Sequence, residues 1–172
     1  MITSLYTFGF EIEGEFRDRV KLILNRFVGA VLKSDGSLRW DRDRRDRWEL
    51  LELASGIYAV EKLERARIMF DVLENNYKPN KSAGFHIHLG FKPIEPQCVM
   101  SLEFAHYFLD AMKKAYPKEY AVRSKNCYCK PNDQDDSRAL RDRGAVNFSA
   151  MKKHGTIELR IFPSATPKKM FE

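Results

Sequence analysis

An α+β fold is what this sequence predicts: a single domain, residues 1–172, built on a curved, largely antiparallel sheet with helices packed on one face. Three observations carry that expectation. Short segments with period-two alternation recur along the chain; helical periodicity is inserted between them irregularly; and several strand segments are joined by turns too short for a parallel crossover. With 172 residues, 44% apolar and 12% aromatic, the chain can bury one substantial core but is short for two.

Residues 5–13, rich in aromatic and β-branched side chains, predict the first strand. From Phe8 onward alternation puts Phe8, Phe10 and Ile12 on one face and Gly9, Glu11 and Glu13 on the other. Val20, Ile23, Leu24, Phe27 and Val28 then recur at helical spacing, a helix of about three turns that Gly29 ends. Residues 30–33 and 38–40 predict short strands hinged on Ser34-Asp35-Gly36-Ser37, a hairpin whose Asp-Gly supplies a positive φ. Residues 47–54 predict another strand, and residues 58–75 a long amphipathic helix with Leu63, Ala66, Phe70 and Leu73 inward. In residues 84–91, Phe85, Ile87, Leu89 and Phe91 alternate with His86 and His88. Pro93 and Pro96 close that strand and admit a helix over 97–115. Residues 116–143 read as an irregular polar loop or lid. Strands at 145–151 and 156–162 flank a Lys152-Lys153-His154-Gly155 turn.

Composition narrows the function classes. No 18-residue apolar stretch is free of charge, and the apolar residues 5–10 run into Glu11 without a basic leader, so no membrane association and a cytoplasmic location are expected. The 3 cysteines, Cys98, Cys127 and Cys129, form neither a C-x-x-C pair nor a disulfide framework, which predicts reduced thiols and no structural zinc. A net charge of +6 suits an anionic partner such as a nucleotide, a nucleic acid or an acidic polymer. The alternating run 41–47 is nearly balanced in charge and reads as a solvated loop.

Three strands share an oddity: their non-core face carries groups that bind metals or phosphates. These are Glu11 and Glu13, His86 and His88, and Glu158 and Arg160, each pair at i and i+2 and so on one side of its strand. Carboxylates with some imidazole suit Mg²⁺ or Mn²⁺, and a Mg²⁺ held by few protein groups takes substrate phosphates into its shell. Singly, each pair has a plain structural explanation: a wet sheet face, half-buried polar residues, or a cross-strand ion pair. Their joint occurrence is what points to a site. Arg123, Arg138, Arg141 and Arg143, from the polar segment, are candidates to clamp phosphates or a carboxylate.

The ordered segments F-G-F-E-I-E-G-E (8–15), S-D-G-S-L (34–38), E-L-A-S-G-I (52–57), G-F-H-I-H-L-G (84–90), R-S-K-N-C-Y-C-K (123–130), A-V-N-F-S-A and G-T-I-E-L-R-I-F (145–162) resemble the amidoligase family. The resemblance implies a fold like that of glutamine synthetase and glutamate–cysteine ligase. It also implies a reaction in which ATP phosphorylates a carboxylate and an amine attacks the acyl phosphate. Carried over by motif, Glu11, Glu13, Glu52, His86 and Glu158 would hold metal, with His88 beside the metal–phosphate centre. Arg160 would face the transferring phosphoryl group; among the arginines of the polar segment, Arg123, in the family-like R-x-x-N, is the preferred catalytic clamp, while Arg141 and Arg143 are nucleotide-contact candidates by their charge and place in that segment and not by motif. Asp35 resembles an acid bordering the acceptor pocket and is equally explained as a turn-maker. The implied cofactors are ATP and Mg²⁺ or Mn²⁺, and the implied partners are small-molecule or peptide carboxylates and amines.

One departure from the family pattern is that residues 164–172 alone follow the last strand, where at least one further helix is usual; an incomplete ATP pocket is the expectation, in a minimal version, a dimer or other homo-oligomer supplying the missing walls, or a degenerate non-catalytic member. Two rival readings stay open. One is a non-catalytic basic module for nucleic acid or protein, disfavoured because clustered carboxylates repel phosphate backbones. The other is a metal-dependent hydrolase.

Overall fold

The computed structural model describes residues 5–40, 47–91, 100–126, 129–131 and 144–171. The fold is α+β, with open, mostly antiparallel strand pairing, as the alternating segments predict. The chain divides into two compact units, Phe8–Phe85 with Pro163–Glu172, and Met1–Thr7 with His86–Phe162. Among the described residues no helix is long and apolar enough to cross a membrane.

In the Phe8–Phe85 unit the first strand, β1 (Leu5–Arg17), runs further than alternation suggests. It is followed by α1 (Val20–Ile23), which passes into a π-helical turn (Leu24–Val28) and ends, as expected, at Gly29 with φ 66°. Next come β2 (Val31–Ser34), β3 (Trp48–Ala54), β4 (Tyr58–Ala59), α2 (Leu63–Leu73) and β5 (Tyr77–Lys78). The strand order is β2-β3-β1, and β4 and β5 also pair with β1. Phe10 packs on Tyr58, Phe70 and Phe85, and Phe70 packs on Phe171, which makes an aromatic core of side chains far apart in sequence.

Several expectations are corrected here. The predicted hairpin does not form: residues 38–40 are not a strand, and β2 pairs instead with β3. Nor does Gly36 adopt a positive φ. The turn is closed by the Asp35 side chain, whose Oδ1 accepts the Ser37 N–H at 2.8 Å, so the carboxylate does locally what a left-handed glycine would have done. The long helix starts five residues late, because β4 and a 3₁₀ turn (Val60–Lys62) precede it. Leu63 is exposed, and Met69 joins Ala66, Phe70 and Leu73 in the core. Residues 164–172 are not a bare tail, since α6 (Pro167–Phe171) forms there and Phe171 supplies the contact with Phe70.

In the His86–Phe162 unit, β6 (Gly84–Phe91), which begins at the end of the other unit, leads to α3 (Leu102–Ala115), where Ser101 Oγ caps the helix by accepting the Phe104 N–H. Then follow α4 (Pro117–Arg123), β7 (Val146–Asn147), α5 (Ser149–His154) and β8 (Thr156–Pro163), with strand order β6-β8-β7. Leu109 and Met112 of α3 meet Val146, Phe148, Ile157, Leu159 and Ile161, and Ile87, Leu89 and Phe91 pack against this core as their alternation predicts. Two readings fail. Residues 117–123 are helix where an irregular loop was expected, with Pro117 at the first turn, where its missing N–H costs nothing. The strand expected over 145–151 is only Val146–Asn147, because the chain turns into α5 and ends at Gly155 in the left-handed conformation. Pro93, Pro96, Cys98, Cys127, most of the charged run 41–47 and half of the expected lid lie outside the described residues.

Gly14 shows how tightly β5 is laid on β1. A Cβ there would stand 2.5 Å from the Tyr77 ring and 2.8 Å from the Lys78 carbonyl oxygen, and the carbonyl is backbone that cannot swing aside. Gly14→Ala is therefore expected to destabilise the fold by about 1–3 kcal/mol through overpacking, measurable as a lower midpoint in urea. An unchanged midpoint would show that β5 moves away freely.

Candidate functional site

The Phe8–Phe85 unit carries an acidic row across three strands. Antiparallel register sets Glu13 of β1 opposite Glu52 of β3, and Glu52 opposite Lys33 of β2. Directly opposed residues lie side by side on one sheet face, so a row of charges is the direct product of register. Asp35, just past β2, joins it: one carboxylate oxygen each from Glu13, Asp35 and Glu52 lie within 4.8 Å of one another. Lys33 Nζ lies 2.6 Å from Glu52 Oε1 and 3.9 Å from Glu11 Oε1. Burial pulls the Lys33 pKa down, but the Glu52 hydrogen bond and the charges of Glu52, Glu11 and Asp35 outweigh it, and the ammonium titrates above the ordinary lysine range.

Glu13 is the best fixed of these acids. It is buried, and its Oε2 accepts the Gly84 N–H at 2.6 Å. Its backbone carbonyl accepts the Tyr77 hydroxyl at 2.9 Å, and that hydroxyl also lies 2.8 Å from Ser164 Oγ. Burial holds the Tyr77 phenol well above its usual titration range, against the Ser164 hydrogen bond, so the donor stays protonated. Three hard oxygen donors converging beside a resident ammonium fit a divalent cation such as Mg²⁺ or Mn²⁺ in type and charge.

The His86–Phe162 unit carries a second group centred on Glu158. Register places Asn147 of β7 opposite Glu158 of β8. Glu158 Oε2 accepts from Asn147 Nδ2 at 2.5 Å, while Oε1 accepts from Arg160 Nη1 at 3.0 Å and lies 3.2 Å from His86 Nδ1. Asn147 is itself oriented, its Oδ1 accepting the Ser149 N–H at 3.0 Å and the Ser149 hydroxyl at 2.6 Å. Glu158 and His86 are buried, and charge-assisted bonds in such surroundings are strong and directional.

Both histidines reach Glu158. His86 Nδ1 lies 3.2 Å from its Oε1, and a ring nitrogen of His88 lies within 4.8 Å of a Glu158 carboxylate oxygen; His88 Nδ1 also lies 3.0 Å from Thr156 Oγ1, and its ring meets His154 edge-on at 6.1 Å. Arg123 ends α4 and is buried, its Nη2 donating to the Arg160 carbonyl at 3.3 Å while its own carbonyl accepts from Cys129 Sγ. It thus braces the strand that presents Arg160. Arg141 and Arg143, with Arg138, lie outside the described residues.

Sequence reading missed Lys33 and Asn147. Lys33 looked like an ordinary polar residue of a hairpin arm, and only the β2–β3 pairing brings it to Glu52. Asn147 stands in the quoted A-V-N-F-S-A segment, and the Asn-x-Ser spacing that orients its side chain was the available signal.

Within the α+β fold the acids gather in one unit and a His-Glu-Arg group in the other. Residues 6–145 match the family described as "Putative amidoligase enzyme", and the chain belongs to that family. Its class is thereby that of a ligase forming amide bonds. No curated protein matches the chain.

Proposed function

We propose that the whole chain is one catalytic domain of the glutamine synthetase kind, an ATP- and Mg²⁺-dependent carboxylate–amine ligase working through an acyl phosphate. The observation that carries this reading is the row Lys33-Glu52-Glu13 with Asp35, which offers hard oxygen donors to a divalent cation within an amidoligase chain. A carboxylate oxygen of the substrate takes the γ-phosphoryl group from ATP, releasing ADP. The amine nitrogen then attacks the acyl carbon, the C–O bond to phosphate breaks, and amide, phosphate and a proton leave.

Glu13, Asp35 and Glu52, with Glu11 alongside, would hold a Mg²⁺, which when bound would neutralise charge on the phosphate oxygens. Arg160 presents its guanidinium to the phosphoryl group that moves, and Glu158, gripped by Asn147, fixes the aim of Arg160. His86 is locked against Glu158 and serves the same centre, with His88 on the neighbouring Thr156. Amine- and carboxylate-dependent release of ADP tests the reaction: ADP formed in water alone, at the same rate, would indicate a hydrolase.

Mg²⁺ with ATP is expected to raise the melting temperature, and excess chelator to remove the metal-dependent increment, because binding to the folded state stabilises it by mass action. Lys33 gives a sharper version. Lys33→Met removes the ammonium that now neutralises Glu52, so in chelator the variant is expected to melt about 2–4 °C lower, the scale of a half-exposed pair worth at most ~1 kcal/mol. Mg²⁺ is expected to restore the loss and to bind more tightly than to wild type. The raised Lys33 pKa sets the pH window: its contribution is fully present below the ordinary lysine range and is lost as pH rises through the folded-state value above it. The two proteins should therefore converge in stability only in strongly alkaline solution. Equal Mg²⁺ affinity in the two proteins would remove Glu52 from the cation site.

A further inference from the structure

At the far end of β1 from Glu11, Arg17, Asp18, Arg19, Arg47 and Trp48 line a cavity of about 370 Å³ within the Phe8–Phe85 unit. That volume is in the range of small-molecule sites. Among the described residues its lining carries three guanidinium groups and one carboxylate, a net charge of +2 from 3 − 1.

What holds these arginines matters more than their number. Arg17 is opposite Trp48 in the β1–β3 register, and its guanidinium carbon lies 5.2 Å from the centre of the Trp48 ring. Lys78 Nζ lies 4.5 Å from the same ring. Arg19 Nε donates to Asn76 Oδ1 at 3.4 Å, and Asn76 is steadied by its own amide donating to the Val72 carbonyl. A ring face and an amide oxygen orient a cation without cancelling its charge, as a carboxylate would. The backbone is arranged around the same place: the Asp18 N–H donates to the Arg47 carbonyl, and Arg47 holds φ at 63°. Among the described residues Arg47 is the sole non-glycine with positive φ, a conformation that is costly for an L side chain and that collects at ligand sites.

From this geometry we propose that the pocket is an anion site for a phosphate group bearing two negative charges, either inorganic phosphate or the monoester of a small molecule. The +2 lining matches a dianion, and three arginines can each engage a different oxygen of a tetrahedral phosphate, which a two-oxygen carboxylate does not offer. Single-stranded nucleic acid fits less well, because the Trp48 ring is buried and already carries two cations, leaving no open face for a base. The site needs no divalent ion, which separates it from the proposed catalytic centre.

The test is titration calorimetry of the full chain in excess chelator at fixed ionic strength, with inorganic phosphate, glycerol phosphate and succinate as probes. Both phosphates are expected to bind, or the ester alone if its organic part is read as well, and succinate to bind markedly more weakly. Arg17→Gln with Arg19→Gln is expected to weaken phosphate binding roughly tenfold or more, because two charge-assisted donors are lost. Arg47→Gly keeps the backbone conformation at no strain while deleting one guanidinium, so it guards against a folding artefact and is expected to weaken binding too. Succinate binding as tightly as phosphate, or phosphate affinity unmoved in Arg47→Gly, overturns the proposal. Because no metal or ATP is present, failure here leaves the ligase reading standing, and the reverse also holds.

Discussion

Arg160→Lys is expected to lower amine-dependent ADP formation by roughly 10²–10³-fold while the protein stays folded, the size of effect seen when one preorganised donor to a transition-state oxyanion is removed. The structure gives the reason for expecting function and fold to separate. Arg160 Nη1 donates to Glu158 Oε1 at 3.0 Å, and a lysine ammonium can keep a contact of that kind. It cannot reproduce the planar fork of N–H donors that a guanidinium presents. If Arg160 serves only as the structural partner of Glu158, the substitution leaves turnover nearly unchanged. Thermal melting of both proteins, run alongside the rate measurement, shows whether a slow variant is merely an unfolded one.

Glu158→Gln is expected to be the most damaging single change to stability. Glu158 accepts from Asn147 and Arg160 and lies against His86, and it is buried, so its loss leaves the Arg160 charge without its carboxylate. The amide of glutamine also keeps one acceptor oxygen where the carboxylate has two, so its NH₂ faces either Asn147 Nδ2 or Arg160 Nη1, neither of which can accept. Removing one partner from a buried ion pair costs about 3–5 kcal/mol, which at this chain length lowers the melting temperature by roughly 10 °C. Denaturant unfolding with an unchanged slope and a lower midpoint would show this directly. A loss below about 1 kcal/mol would mean that the group behaves as a solvated surface pair. Asn147→Asp is a useful companion, because it sets a second carboxylate 2.5 Å from the first and should destabilise by repulsion at neutral pH, less so in acid.

Periodicity determined a good deal of this molecule in advance. Alternation in residues 8–13, 84–91 and 156–162 marks three of the longest described strands, because period two is a local property of an extended chain with one face buried, while residues 47–54 read as a strand without it. The i, i+2 spacing likewise paired Glu158 with Arg160 correctly, their side chains meeting at 3.0 Å. Helical spacing found α2, and the prolines after residue 91 admitted α3, but both starts were placed early, since β4 and the Ser101 cap are decided by what pairs and donates locally. The ordered motifs pointed to the family that residues 6–145 match.

What the chain folds against was not legible. Alternation predicts a core face and a wet face, yet from Ile12 to Phe16 β1 is buried on both, so Glu13 and Glu15 are interior carboxylates and not solvated ones. The predicted hairpin failed for the same reason: Asp35-Gly36 makes a turn, but a turn does not choose a partner, and β3 offers β2 a four-residue ladder that residues 38–40 do not. That choice brings Lys33 beside Glu52, just as the β7–β8 register sets Asn147 against Glu158. Local spacing fixes which way a side chain points along its own strand. Only tertiary pairing, which depends on burial and hydrogen bonding between distant segments, decides which charge it meets there.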